Sequence, residues 1–160
     1  SLTRTLRRQT FSVTFDRAFR RVVTDCAALR RQGGEGTWIG PEMLEAYCRL
    51  HELGYAHSVE CWRDGDLAGG LYGVCLGRCF FGESMFHRAA DASKVAFATL
   101  ARQLFERGFE LIDCQLPTPH LLSLGAVEVG REVFLGRLRR GGVLPSPRPA
   151  PGPFPHGGVV

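Results

Sequence analysis

The chain has 160 residues, 44% of them hydrophobic, and twenty cationic against sixteen acidic side chains give it a formal net charge of +4 at pH 7. That length suits one domain with a single sizeable core. No apolar stretch reaches the roughly 20 residues that span a bilayer, and the chain opens without a signal-peptide pattern.

The elements follow in order. Phe11 to Phe15 alternates like a strand, and Asp16 stands where it can cap a helix over 16–31. Pro41 and Gly54 bracket a helix over 42–53, with proline in the first turn and glycine past the end. Three strands are predicted next, at 57–63, 67–76 and 79–86. Asp64-Gly65-Asp66 and Gly77-Arg78 supply the turns between them. Asp91 opens a helix to Arg107 that Gly108 can end, and a strand over 110–115 comes after it. A meander, a helix and one more strand predict an α/β (α+β) fold, a mixed and mainly antiparallel sheet flanked by helices with one crossover. Residues 141–160 hold six of the nine prolines and five glycines. The reading is a domain over 1–140 and a disordered Pro/Gly-rich tail over 141–160.

One apolar strand carries a charge. In Cys79-Phe80-Phe81-Gly82-Glu83-Ser84-Met85-Phe86, strict alternation puts Phe81, Glu83 and Met85 on one face. A carboxylate beside a ring and a thioether is costly to bury without a partner. It is either a structural ion pair or part of a site. Leu111-Ile112-Asp113-Cys114-Gln115 presents Asp113 and Gln115 together from another apolar strand, which favours a site.

Other chemistries find little support. Cys26, Cys48, Cys61, Cys75, Cys79 and Cys114 sit mainly in apolar segments. Cys75 and Cys79 lack a second pair at metal-ligand spacing, so reduced buried thiols and no metal are expected. His51, His57, His87 and His120 form no pair with a nucleophile, nor do Ser84 and Ser93; His51 and His57 read as structural. Lys94 reads as part of a helix start. Nineteen of the twenty cations are arginine, which suits phosphate contact and equally reflects nucleotide bias. Arg4, Arg7 and Arg8 form one cluster, and Arg17, Arg20 and Arg21 would share one helix face.

These residues carry a family resemblance. Phe-Gly-Glu-Ser-Met-Phe at 81–86, Asp-Ala-Ser-Lys at 91–94 and Leu-Ile-Asp-Cys-Gln at 111–115 resemble leucyl/phenylalanyl-tRNA–protein transferases. So do Glu-Gly-Thr-Trp-Ile at 35–39, Glu-Ala-Tyr at 45–47, Leu-His-Glu-Leu-Gly at 50–54 and Ala-His-Ser-Val-Glu at 56–60. Gly-Gly-Leu-Tyr-Gly at 69–73 and Ser-Leu-Gly-Ala at 123–126 continue the match, in the family's order. A further N-terminal portion of the family pattern, including a tryptophan-rich segment, has no counterpart here.

The resemblance implies a GNAT-like acyltransferase core in a cytoplasmic enzyme without a cofactor. Leucine or phenylalanine would pass from aminoacyl-tRNA to the N-terminal amine of proteins beginning with Arg or Lys, marking them for degradation as an N-end rule signal. It further implies roles for single residues. Glu83 would meet the acceptor's cation, and Gln115, oriented by Asp113, would contact the attacking amine. Trp38, Tyr47 and Phe80 would lie near the 3′-terminal adenosine. Leu71, Met85, Phe97 and Ile112 would form the donor side-chain pocket, although Phe97, on a helix with Leu100 and Leu104, also fits plain core. Arg4, Arg7 and Arg8 would contact tRNA phosphates. The expected partners are the charged tRNA and the acceptor protein, with no membrane and a monomeric enzyme. Two alternatives stay open: an acyl-CoA-dependent acyltransferase and an inactive or tRNA-binding remnant. For the first, a Gly-rich pyrophosphate loop would be wanted, and Arg88-Ala89-Ala90 stands in its place.

Overall fold

In the computed structural model, which describes residues 10–32 and 39–156, strand β1 (Ser12–Phe15) leads into α1 (Phe19–Gln32) and α2 (Pro41–Glu52). The meander follows as β2 (Ala56–Arg63), β3 (Asp66–Leu76) and β4 (Cys79–His87). Helix α3 (Ala92–Glu106) then carries the chain to β5 (Leu111–Asp113), and two further helices, α4 (Pro119–Ser123) and α5 (Arg131–Arg140), come after it. The strands make one sheet in the order β1-β2-β3-β4-β5. Neighbours are antiparallel except β4 and β5, which the α3 crossover leaves parallel.

Turn chemistry explains the meander. Asp64 and Gly65 both take left-handed φ, 54° and 84°, the pairing that a two-residue hairpin needs. Each sheet face is then covered. Val95, Leu100 and Leu104 of α3 pack with Val59, Leu71 and Phe80 on one side. Phe19, Val22 and Val23 of α1 and Tyr47 of α2 pack with Tyr72 and Phe86 on the other. The glycines of β3 permit close approach: a Cβ at Gly69 would lie 2.8 Å from that of Ala92 at the start of α3.

Asp16 does not cap α1. With φ at 58° it turns back to β2, where Oδ1 accepts the Ser58 amide at 2.9 Å and Oδ2 meets His57 Nδ1 at 2.7 Å. The wholly buried Glu60 takes over the capping role. Its carboxylate accepts the amides of Arg17 and Ala18 at 3.3 and 3.2 Å and the hydroxyls of Thr14 and Ser58 at 2.6 and 2.5 Å. A carboxylate from a neighbouring strand thus serves the free amides at a helix start.

Residues 141–156 also depart from the expected loose tail. The segment returns to the sheet, where Pro151 bridges Leu76 and the Gly77 amide donates to Ala150 at 2.9 Å. Phe154 is 3% exposed. Its ring stacks on His57 with centroids 4.1 Å apart and meets Phe15 and Phe80 at 5.7 Å each. Composition underrates this segment because one aromatic side chain finds a socket assembled from β1, β2 and β4.

Candidate active site at the fork between the last two strands

The parallel pairing of β4 and β5 stops after Cys79–Leu111, Phe80–Ile112 and Phe81–Asp113. Beyond it both strands change course. In β4 the register jumps from Gly73–Gly82 to Tyr72–Ser84, leaving Glu83 as the extra residue of a bulge. After β5, Gln115 takes φ of 66°, a left-handed conformation that no strand continues through. The strands part, and a cavity of about 240 Å³ opens between them.

The bulge corrects the expected face. Met85 lies opposite Leu71 and packs with the α3 side of the sheet. Phe81 lies opposite Val74, on the other side, and packs towards Leu138 of α5. One inserted residue inverts the alternation, so Phe81, Glu83 and Met85 do not share a face. The predicted strand over 110–115 is likewise shortened to three residues, and Asp113 and Gln115 are not held together by pleating.

Glu83 lines the cavity and accepts a hydrogen bond from the phenol of Tyr47. Burial first, and then the Glu83 charge and hydrogen bond, push the Tyr47 hydroxyl well above the usual tyrosine range. It therefore serves as a neutral donor. Ser84, next along the strand, also lines the cavity, and its Oγ is buried without a partner among the described residues.

Gln115 lines the same cavity. Its main-chain amide donates to Asp113 Oδ1 at 2.9 Å, so the carboxylate holds the turn that aims Gln115 through the backbone, as an Asx-turn does. Leu71, Met85, Phe97 and Ile112 all border the cavity, as does Phe80, which is 1% exposed. Cys114 and His120, read from the sequence as an ordinary thiol and an unpaired histidine, join them, as does Thr118, which was not singled out. Thr118 had a readable signal: it precedes Pro119 and caps α4, its Oγ1 accepting the Leu121 amide at 3.2 Å.

Trp38 and the Arg4, Arg7, Arg8 cluster lie outside the described residues. In the second arginine group, Arg20 forms a two-pronged bond to Glu45 at 2.6 and 2.9 Å, and Arg21 approaches Asp25 at 3.9 Å. Lys94 meets Asp91 at 3.1 Å, a helix-start contact. Asp16, His57 and His156 bring possible metal-ligand atoms within 4.8 Å of one another. Both His57 nitrogens already face oxygens, of Asp16 at 2.7 Å and Gly54 at 3.1 Å, and none of the three lines the fork. No described helix is long and apolar enough to cross a membrane.

A sheet that forks between a bulged strand and its parallel neighbour, with one crossover helix, is a GNAT-like fold. The chain is similar to an aminoglycoside acetyltransferase from an uncultured soil metagenomic sample in complex with sisomicin, with TM-score 0.56 and 11% identity over 77% of this chain and 93% of that one. It is also similar to a ribosomal-protein-alanine N-acetyltransferase from Brucella melitensis biovar Abortus, with TM-score 0.54 and 14% identity over 76% and 94%. Likeness at these identities is of fold alone.

Sequence narrows the class. The chain belongs to the leucyl/phenylalanyl-tRNA protein transferase family, whose model matches residues 1–139. It is 59% identical over 155 residues to the leucyl/phenylalanyl-tRNA–protein transferase of Syntrophotalea carbinolica, covering 97% of this chain and 67% of that protein. To the same-named protein of Desulfatibacillum aliphaticivorans it is 61% identical over 140 residues, covering 88% and 60%. The chain thus spans about three-fifths to two-thirds of the length of these relatives.

Proposed function

We propose that this chain transfers leucine or phenylalanine from aminoacyl-tRNA to the N-terminal amine of proteins that begin with Arg or Lys. The observation that supports this most is convergence. Glu83, Gln115 and the apolar set Leu71, Met85, Phe97 and Ile112 border one cavity of about 240 Å³, in a member of a family described as leucyl/phenylalanyl-tRNA protein transferases.

The donor is an activated ester, so the protein's work is to hold an amine, assist loss of its proton and steady the developing oxyanion. The apolar residues receive the donor side chain. Glu83 meets the acceptor's guanidinium or ammonium group, and its bond from the uncharged Tyr47 leaves carboxylate lone pairs for that cation. Gln115, fixed by Asp113, accepts a hydrogen bond from the amine. The amine nitrogen bonds to the ester carbonyl carbon, the bond from that carbon to the tRNA 3′-oxygen breaks, and the amine's proton leaves with the 3′-hydroxyl. Tyr47, Phe80 and Trp38 are assigned to the terminal adenosine, and Arg4, Arg7 and Arg8 to phosphates. Without a step that needs one, no cofactor or metal is assigned. The setting is cytoplasmic, the enzyme a monomer, and the product an N-terminally marked protein destined for degradation.

An acyl-CoA reaction has the fold in its favour and little else. The loop ahead of α3 has no Gly-rich run, and its Arg88 is spent on Asp25 at 2.7 Å. The test is incubation with labelled leucyl-tRNA and an Arg-initiated peptide, beside a parallel incubation with labelled acetyl-CoA. Label on the peptide from the tRNA is expected. Label from acetyl-CoA alone would overturn the reading.

A further inference from the structure

Beside the fork lies a second concavity of about 720 Å³. It shares Phe97, Ile112, Cys114, Gln115 and Leu116 with the first, so the two are contiguous. Every residue from 111 to 117 lines it. A strand seen face-on would contribute alternate residues, so the unbroken run means that the groove follows the edge of β5 and its continuation. The strand order makes β5 an edge strand, and among the described residues it pairs with β4 alone. Its outer side therefore has no strand partner among the described residues.

The remaining walls are apolar and open. Phe105 on α3 is 56% exposed, Leu116 68% and Val127 76%. Exposed apolar side chains gathered around one groove mark a binding surface. The charged lining residues are Asp113, Glu128 and Arg137, which is no cationic excess of the kind a phosphate backbone requires.

We infer that this groove seats the acceptor polypeptide. The acceptor lies extended along β5, with apolar side chains favoured at the few positions just behind its N-terminal residue. The inference rests on the reaction proposed above. With the terminal cation on Glu83 and the amine at Gln115, the rest of the acceptor leaves across the wall that the two cavities share. There it meets a strand edge with no second strand beside it among the described residues, and apolar walls for its side chains, the recognition mode of an added strand.

The experiment compares Arg-initiated peptides that carry Leu, Val or Ile at positions three to five with matched peptides that carry Ser or Asp there. Leucine transfer from leucyl-tRNA is the readout. The apolar set should show KM about tenfold lower at similar kcat. Phe105→Ser and Val127→Ser, both at exposed positions, should shrink the difference to less than twofold. Transfer to the dipeptide amide Arg-Ala, too short to reach the groove, should be unchanged. Equal KM for the two peptide sets, or equal damage to dipeptide use, would overturn the inference. A failure of the reaction itself is told apart by binding of an N-acetylated apolar peptide, followed by NMR line broadening. Binding that Val127→Ser removes, without any leucine transfer, would uphold the groove and sink the reaction. A dimer by sedimentation that Val127→Ser dissociates would assign the groove to a second copy and overturn the inference.

Discussion

Tyr47 on α2 donates its phenolic hydrogen to Glu83, the bulged residue of β4. A helix on one sheet face thereby sets the acid that stands in the fork. Alternation alone would have aimed this acid at Phe81 and Met85, and the bulge releases it from both. If Glu83 reads the acceptor's charge, Glu83→Gln should lower peptide kcat/KM about tenfold or more, since a charged contact is worth about 1.5–3 kcal/mol. Donor affinity should hold. Tyr47→Phe keeps the ring and loses the hydrogen bond. A fall of a few fold in peptide use at unchanged donor affinity would place Tyr47 with Glu83, and weaker donor binding would place it with the adenosine. Steady-state kinetics with each substrate varied in turn makes the distinction.

Asp113 acts on Gln115 through the main chain, which changes the expected mutational pattern. Asp113→Asn keeps an oxygen for the Gln115 amide and should be mild, within a few fold in kcat. Asp113→Ala removes it, at a cost of about 1 kcal/mol for a net hydrogen bond, and should lower kcat more. In a Gln115→Ala background, Asp113→Ala should add little, because the carboxylate works by aiming a side chain that is then absent. Additive losses in the double variant would mean independent roles.

The legible parts of the fold were those set by neighbouring residues. Asp64-Gly65 announced a hairpin, Pro41 and Gly54 bracketed α2, and Gly108 ended α3, each through backbone preferences that act within a few residues. The meander and the crossover followed from them. What escaped was decided across the sheet. The bulge at Glu83 depends on the register with Tyr72 and Gly73, where a Cβ on Gly73 would run into the Phe80 ring. The capping of α1 by Glu60 joins positions 42 and 43 residues apart. Ser84 and Cys114 are ordinary in sequence, and only the parting of two strands brings them to the cavity.

Phe154 should matter more to stability than its Pro-rich surroundings suggest. It is 3% exposed and packs against rings from three strands. Phe154→Ala should cost about 3–5 kcal/mol, the range for a buried phenylalanine, and removal of residues 141–160 should cost at least as much. Urea unfolding of the parent and both variants measures it. A loss below about 1 kcal/mol would mean that the segment contributes nothing to the core in solution.

Alkaline pH should unfold the chain through its thiols. Burial pushes Cys61 and Cys75 up to about 12 and Cys79 up to about 11. Unfolded thiols ionise near 8.5, so between that value and the raised ones the unfolded state has lost protons that the fold still binds. Stability must then fall as pH rises, by about 1.4 kcal/mol per pH unit for each fully shifted thiol. It is intact below the unfolded value. Denaturant titrations from pH 8 to 11 should show the decline, and Cys61→Ala should make it shallower. An identical slope in that variant would exclude Cys61 as a source.

Binding of the tRNA should divide into a salt-dependent part and a salt-independent part. Phosphate contacts by Arg4, Arg7 and Arg8, as proposed, would release counterions, so each contact would steepen the fall of affinity with salt by somewhat under one logarithmic unit per decade. Stacking of the terminal adenosine on Trp38, worth about 1–3 kcal/mol, releases none. Replacing the three arginines by alanine should flatten the slope by about two units, while Trp38→Ala should lower affinity at every salt concentration and keep the parent's slope. The other basic group is a weaker rival, because Arg20 is already held by both oxygens of Glu45 and Arg21 leans towards Asp25. Salt titrations of tRNA binding for the parent and the two variants decide the matter. A triple-arginine variant with the parent's slope would remove Arg4, Arg7 and Arg8 from the interface, and Arg17, which keeps neither of those partners, would become the next position to replace.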